Sequence, residues 1–304
     1  METILSVKNL RKSYKEVEAV KGISFEVKKG QLFAFLGPNG AGKSTTIDIL
    51  CTLLKPDAGD IQLNGHTLGK NDGEIKKSIG VVFQDSLLDP TLTIRENLRI
   101  RGSLYGMSKE ELKEMIALSV KATGIESLLD RKYGELSGGQ RRRADIARGL
   151  VHRPEMLFLD EPTTGLDPQT RKSVWETLEI IQKETNMTIF LTTHYMEEAA
   201  QADYISIIDH GEIVAQGTPA KLREEYSSDS VKLNIKNEER IKQILDASHF
   251  EYTLNKKTAV VSVPQTLTAL PLLEASKDYI TSFEVQTGTM DDVFIAITGK
   301  EIRA

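Results

Sequence analysis

The chain has 304 residues, 39% hydrophobic and 27% charged, enough to bury a core in one large domain or two ordinary ones. Its net charge of −5 and isoelectric point near 5.7 speak against a nucleic-acid binder. One cysteine, Cys51, cannot close an internal disulfide, and no apolar run is long enough for a membrane helix. The opening METILSVKNLRKSY is too short in its apolar part, and too broken by charge, for a signal peptide. The expectation is a chain of the reducing cytosol that reaches a membrane only through a partner. Its first part alternates short apolar strands with amphipathic helices. LFAFLG, IGVVFQ, MLFLDEP and TIFLTTH are each an apolar strand, LFAFLG leading into a glycine loop and the other three ending in polar or charged residues. Such runs suit strands buried on both faces of a parallel sheet, with ligands at their carboxyl ends. Between Gln84 and Gly134 the pattern turns helical; SKEELKEMIALSVKATG carries a capping box in Ser108 and Glu111. EEYSSDS then reads as a polar linker. Beyond it VKLNIK, EERIKQILDAS, FEYTL, AVVSV, TLTALPLLEASKD and YITSFEVQ give the order β-α-β-β-α-β of a ferredoxin-like unit. A last helix, TMDDVFIAITG, is capped by Thr289 and stopped by Gly299. The expected domains are 1–226, with a helical block at about 85–150, and 227–304.

The stretch GPNGAGKST fits G-x-x-x-x-G-K-[ST] and lies between a strand and a helical run. Gly37, Gly40 and Gly42 let backbone N–H groups, those of Asn39 and Ala41 included, wrap phosphates, and Thr45 and Thr46 continue into the helix. Lys43 can reach the β- and γ-phosphates, and Ser44 can ligate Mg²⁺. In MLFLDEP, Asp160 would hold Mg²⁺, leaving Glu161 to orient or deprotonate a water. His194 can hydrogen-bond the γ-phosphate or the attacking water, although a histidine at a strand end more often caps or packs. Gln84 carries an amide that can ligate a metal and hold water; an exposed strand-end glutamine is the plainer reading. Tyr14 either packs or stacks on adenine. Asp167 and Pro168 read as a helix N-cap and first residue. YGELSGGQRRRADIARGL is a second glycine turn opening a basic helix, again a phosphate cradle by its free N–H groups. Of its arginine run 141–143, most is expected to be a solvated face.

Taken in order, Tyr14, GPNGAGKST, Gln84, LSGGQ, MLFLDEP, GLD and His194 resemble the nucleotide-binding subunit of an ATP-binding cassette (ABC) transporter over about residues 1–225. RRRADIARGLVHRP, TTGLDPQTR, HYMEEA and TMDDVFIAITG are similar to the daunorubicin-resistance type of exporter ATPase, whose members carry a small C-terminal domain. The resemblance implies an α/β P-loop cassette with a mixed sheet, a helical insertion and a small α+β domain. It implies ATP and Mg²⁺ as ligands, and a dimer of two ATP-binding subunits, with a homodimer expected and a pair of two different chains left open. Each ATP would lie between one subunit's P-loop and Ser137, Gly138, Gly139 and Gln140 of the other, with Asp167 acting near the partner's site. It also implies separate membrane permease subunits docked on the helical block, no nucleic acid, and a place on the inner face of the cell membrane. A non-transport ABC ATPase usually shows tandem cassettes, a coiled-coil insertion or basic arms, and none is visible. A module that binds ATP without turnover is disfavoured by Glu161 and His194.

Overall fold

The computed structural model describes residues 2–299. Met1 and residues 300–304, at the outer ends of the two expected domains, lie outside the described residues. The chain divides into two compact units, Met1–Gln216 and Gly217–Ala304.

The first unit runs β1 (Thr3–Tyr14), β2 (Val17–Lys28), β3 (Leu32–Leu36), α1 (Lys43–Leu50), β4 (Ala58–Leu63), β5 (His66–Thr67), α2 (Asp72–Ser78) and β6 (Ile79–Val82). It continues through α3 (Ile94–Ser103), α4 (Lys109–Ala122), α5 (Gly138–Leu150), β7 (Met156–Asp160), α6 (Pro168–Thr185), β8 (Thr188–Thr193), α7 (Met196–Ala199), β9 (Tyr204–Asp209) and β10 (Glu212–Gly217). A six-stranded sheet has the order β10-β9-β3-β8-β7-β6, and a four-stranded sheet the order β2-β1-β4-β5. From β9 to β6 the pairs are parallel, whereas the four-stranded sheet is antiparallel. Every residue of β3, β7 and β8 is buried, which is why LFAFL, MLFL and IFL read as apolar runs. Phenylalanines from both sheets meet in the core: Phe25 of β2 lies 5.5 Å from Phe33 and from Phe35, and Phe33 lies 5.2 Å from Phe190. Each such ring contributes about 1.5–3 kcal/mol by burial.

Register sets the site. Leu36 pairs with Thr193, and Asp160 with Thr192, so β3, β7 and β8 deliver the P-loop, the acidic pair and His194 to one edge. The helical block packs on its own core of Leu98, Ile116, Val120, Ile125, Ala144 and Val151. Thr93 caps α3 in a capping box with Glu96, and the Glu111 N–H donates to Ser108 at the head of α4. Among the described residues, no helix is long and apolar enough to cross a membrane.

The second unit opens with α8 (Pro219–Tyr226) and continues β11 (Asp229–Ile235), α9 (Glu238–Ala247), β12 (Tyr252–Asn255), β13 (Thr258–Val263), α10 (Leu270–Ser276), β14 (Ile280–Gln286) and α11 (Met290–Thr298). Its antiparallel sheet, β12-β13-β11-β14, has the ferredoxin-like order anticipated from the sequence. The division at Gln216 and Gly217 falls before the expected 226/227, because α8 packs against α11 and buries Leu222. Helix α10 begins only at Leu270, after a tight turn at Thr266–Ala269, with Pro271 in its first turn where no N–H is needed. Thr289 caps α11 in a box with Asp292, and Gly299 ends it at φ 66°.

Candidate functional site

Strand β3 leads into a loop that ends where α1 begins at Lys43. Gly40 and Gly42 take φ of 82° and 106°, a region that penalises any residue with a Cβ. Gly37 and Gly42 are also needed for close approach: a Cβ would fall 2.3 Å from the Ile208 carbonyl and 2.5 Å from that of Ala19. Ala41 and Thr46 are buried beneath the loop, the Thr46 hydroxyl donating to the Gly42 carbonyl at 2.9 Å. Above it opens a cleft of about 500 Å³ lined by Ala19, Asn39, Gly40, Gly42, Lys43, Ser44, Thr45, Gln84, Glu161, Thr164 and His194.

The cleft is electrostatically tight. Lys43 donates to the carbonyls of Gly37 (2.8 Å) and Pro38 (3.2 Å), and its ammonium lies 3.3 Å from Glu161. Burial pushes the Lys43 ammonium down, with Glu161 opposing. Glu161 also lies 3.3 Å from His194 Nδ1 and accepts from the Thr164 hydroxyl at 3.1 Å. Burial raises its carboxyl, but Lys43, His194 and Thr164 together outweigh that and hold it below the ordinary value. Glu161 is thus a carboxylate at neutral pH. Its φ of 41° is a strained value for a residue with a side chain, and the Thr192 hydroxyl steadies the turn by accepting from the Glu161 N–H at 3.0 Å. The same hydroxyl donates to Asp160 at 2.5 Å. Burial raises the Asp160 carboxyl, against the Thr192 bond.

The second cradle stands outside this cleft. Ser137 caps α5 in a capping box with Gln140, and Ser137 and Gly138 are exposed. A Cβ on Gly139 would lie 2.3 Å from the Thr170 side chain, and one on Gly138 3.2 Å from Leu166. The turn therefore needs its glycines to pack on the start of α6, where the Thr170 N–H donates to Asp167 at 3.1 Å. The Thr170 side chain first, and this backbone N–H second, hold the exposed Asp167 carboxyl below its ordinary value. None of residues 137–140, nor Asp167, lines the chain's own cleft. Tyr14 also lies outside the lining; it is half exposed at the end of β1, on the hairpin that supplies Ala19.

The arginine run departs from the expected solvated face at one position. Arg141 is exposed and Arg143 half-buried, but Arg142 is only 7% exposed. Its guanidinium donates to the carbonyls of Pro162 (2.6 Å), Phe83 (2.6 Å) and Asp160 (3.0 Å). It thereby ties the second cradle's helix to the strand ends carrying Gln84 and Glu161. Sequence reasoning passed over Arg142, Thr164 and Thr192. Arginine two positions past Gln140 lies on the buried side of α5, with Asp145, and that helical spacing was the available signal for Arg142. Arg142→Ala orphans three carbonyls and is expected to cost about 3 kcal/mol in chemical unfolding, against less than about 1 kcal/mol for Arg141→Ala.

The chain matches the family described as ABC transporter over residues 20–164 and the ATP-binding protein DrrA1-3-like C-terminal domain over 217–298. It is 38% identical to the linearmycin resistance ATP-binding protein LnrL of Bacillus subtilis, across 99% of this chain and 100% of that one. The chain belongs to the ABC transporter ATP-binding proteins. Within the family it is also 37% identical to the Nod factor export ATP-binding protein I of Burkholderia orbicola (98% of both chains). It is 36% identical to the daunorubicin/doxorubicin resistance ATP-binding protein DrrA of Streptomyces peucetius (97% of this chain, 92% of that one). Among solved structures, cbiO1 of Clostridium perfringens, part of the ABC transporter complex cbiONQ, superposes with a TM-score of 0.69. It is 33% identical over 73% of this chain and 91% of its own. The dimeric ABC transporter cassette MJ0796 gives a TM-score of 0.63 at 30% identity, over 70% and 98%. This ABC subunit binds nucleotide and is an ATPase, and the cleft above the P-loop brings together Lys43, Ser44, Gln84, Glu161 and His194.

Proposed function

We propose that this ABC subunit drives export, with two copies enclosing two ATP molecules between them. The observation that carries this reading is the split between the cradles. One cradle forms a cleft with Lys43, Glu161 and His194, while the other presents Ser137 and Gly138 to solvent beside Asp167, outside that cleft. An exposed, capped, glycine-opened helix end is an anion site in want of an anion, and a second copy's ATP supplies one. ATP then becomes part of the interface, and its hydrolysis removes contacts and permits opening.

In the reaction, water attacks the γ-phosphorus in line, the bond to the β–γ bridging oxygen breaks, and ADP and phosphate leave. Lys43 turns from Glu161 toward the β- and γ-phosphates. Glu161 orients the water and takes its proton, and His194 holds the γ-phosphate. Ser44, Gln84 and Asp160 offer a hydroxyl, an amide oxygen and a carboxylate, the hard oxygen donors that suit Mg²⁺. When bound, Mg²⁺ neutralises charge on the phosphates. Tyr14 stacks on adenine in this reading.

Export rests on the similarity to LnrL, the Nod factor export proteins and DrrA. A membrane permease, as a separate chain, places the subunit on the inner face of the membrane. A groove of about 510 Å³, with the exposed Leu53, Leu87 and Leu104 on its rim, supports docking there. The C-terminal unit carries none of the phosphate or metal motifs and serves as an accessory or regulatory domain. The test is co-expression with a multi-spanning membrane protein encoded by a neighbouring gene. The pair should co-purify, and Leu104→Asp should abolish co-purification while leaving ATP turnover of the free subunit unchanged. Recovery with ribosomes or DNA in place of the permease would contradict the export reading.

A further inference from the structure

Between Glu161 and the cap of α6, and again just past His194, lie polar groups that the reaction above does not use. Glu198 of α7 is 1% exposed, as are Thr163 and Thr193. Its carboxylate accepts from the Thr163 hydroxyl on one oxygen and from the Thr193 hydroxyl, at 2.6 Å, on the other. Thr193 in turn accepts from the Tyr195 N–H at 3.0 Å, and its carbonyl accepts from the Gly37 N–H at 3.2 Å. The Thr163 carbonyl accepts from the Leu166 N–H at 3.1 Å, on the way to Asp167. One buried carboxylate therefore touches the segment between Glu161 and Asp167 on one side and the residue preceding His194 on the other. A second tie runs alongside it. The Arg171 guanidinium sits 4.1 Å over the Tyr195 ring, that ring lies 4.1 Å from His194, and the Arg171 N–H donates to the Asp167 carbonyl at 2.9 Å.

We propose that Glu198 is a positioning residue: through Thr163 and Thr193 it locks His194 and the loop bearing Asp167 into one unit. This rests on the shared-site reading, in which His194 serves the chain's own ATP and Asp167 the partner's. A buried carboxyl costs free energy unless its lone pairs are met, and here both partners are hydroxyls on the two segments whose relative placement matters. Glu198 is buried and does not line the cleft. Its effect is on geometry, so it changes the chemical step and leaves nucleotide binding to the P-loop. A displacement of about 1 Å at a reacting group costs about 10²-fold in rate.

The experiment uses the full chain and steady-state ATP hydrolysis. Glu198→Ala and Thr163→Val should each lower kcat about 10- to 100-fold, with KM for ATP within about threefold of wild type. The double variant should fall no further than the worse single one, because both remove the same tie. Thr163→Ser, which keeps the hydroxyl, should recover most of the turnover lost in Thr163→Val, an outcome that a loss of packing alone does not give. If Glu198→Ala fails to fold, Glu198→Gln and the Thr163 pair carry the test. Unchanged kcat in the folded variants, additive losses, or no recovery by serine would overturn the proposal. His194→Ala runs beside them. Loss of turnover there with none in Glu198→Ala overturns the positioning role alone, whereas full turnover in His194→Ala overturns the site reading and the proposal with it.

Discussion

Glu161→Gln is expected to bind ATP and to turn it over roughly 10²–10⁴-fold more slowly, with ATP-bound dimers accumulating. The substitution keeps the side chain's size and an oxygen that can still accept from Thr164, now 3.1 Å away. It removes the carboxylate that, in the proposed reaction, takes the water's proton. Without ATP, burial works to raise the Glu161 carboxyl, and Lys43 leads the groups that outweigh it and hold it low. In the proposed reaction Lys43 turns to the phosphates, and losing its contact removes the leading one of the groups that hold the carboxyl low, which favours proton uptake by Glu161. An amide at this position cannot gain by the exchange. Binding is measured by nucleotide titration and turnover by phosphate release. Near-normal release would remove Glu161 from the base role.

Lys43→Ala is expected to lower turnover by roughly 10²–10³-fold, the scale for losing one aimed donor to developing charge. The lysine is 4% exposed, and burial already pushes its ammonium down, so the structure holds this charge at a cost. Its carbonyl partners, Gly37 and Pro38, belong to the same loop and can pass to water in the open cleft. The variant should therefore stay folded by circular dichroism while losing ATP affinity. Retained affinity and rate would mean that the backbone cradle suffices without the ammonium.

The strands and the P-loop were legible because their physics is local. LFAFL and MLFL can be unbroken apolar runs only if both faces are covered, and they are. The glycines of GPNGAGKST are demanded by φ and by the Ile208 and Ala19 carbonyls pressing on the loop. The β-α-β-β-α-β order of the second unit was visible for the same reason, each element carrying its own cap or turn. Non-local partners were not visible. Nothing around Arg142 announces that it will meet the carbonyls of Phe83 and Pro162, and Thr192 becomes informative only when register sets it against Asp160. The start of the second unit was partly readable: Thr218 and Pro219 are a helix cap and first residue, but the polar EEYSSDS drew the boundary past α8.

The shared site is tested most directly by mixing two damaged chains. Lys43→Ala spoils the P-loop half of every site. Ser137→Arg puts a bulky side chain at the exposed α5 cap, where the proposed shared site brings a partner's γ-phosphate. Each alone should fail to form ATP-dependent dimers. In a mixed dimer one site is doubly damaged, and the other joins an intact P-loop to an intact Ser137 turn. Sizing the mixture with ATP and Mg²⁺, where wild type dimerises, should therefore reveal dimers that neither variant forms alone. If both cradles served one nucleotide within a single chain, mixing could restore nothing. Absence of mixed dimers from two folded variants would contradict the account.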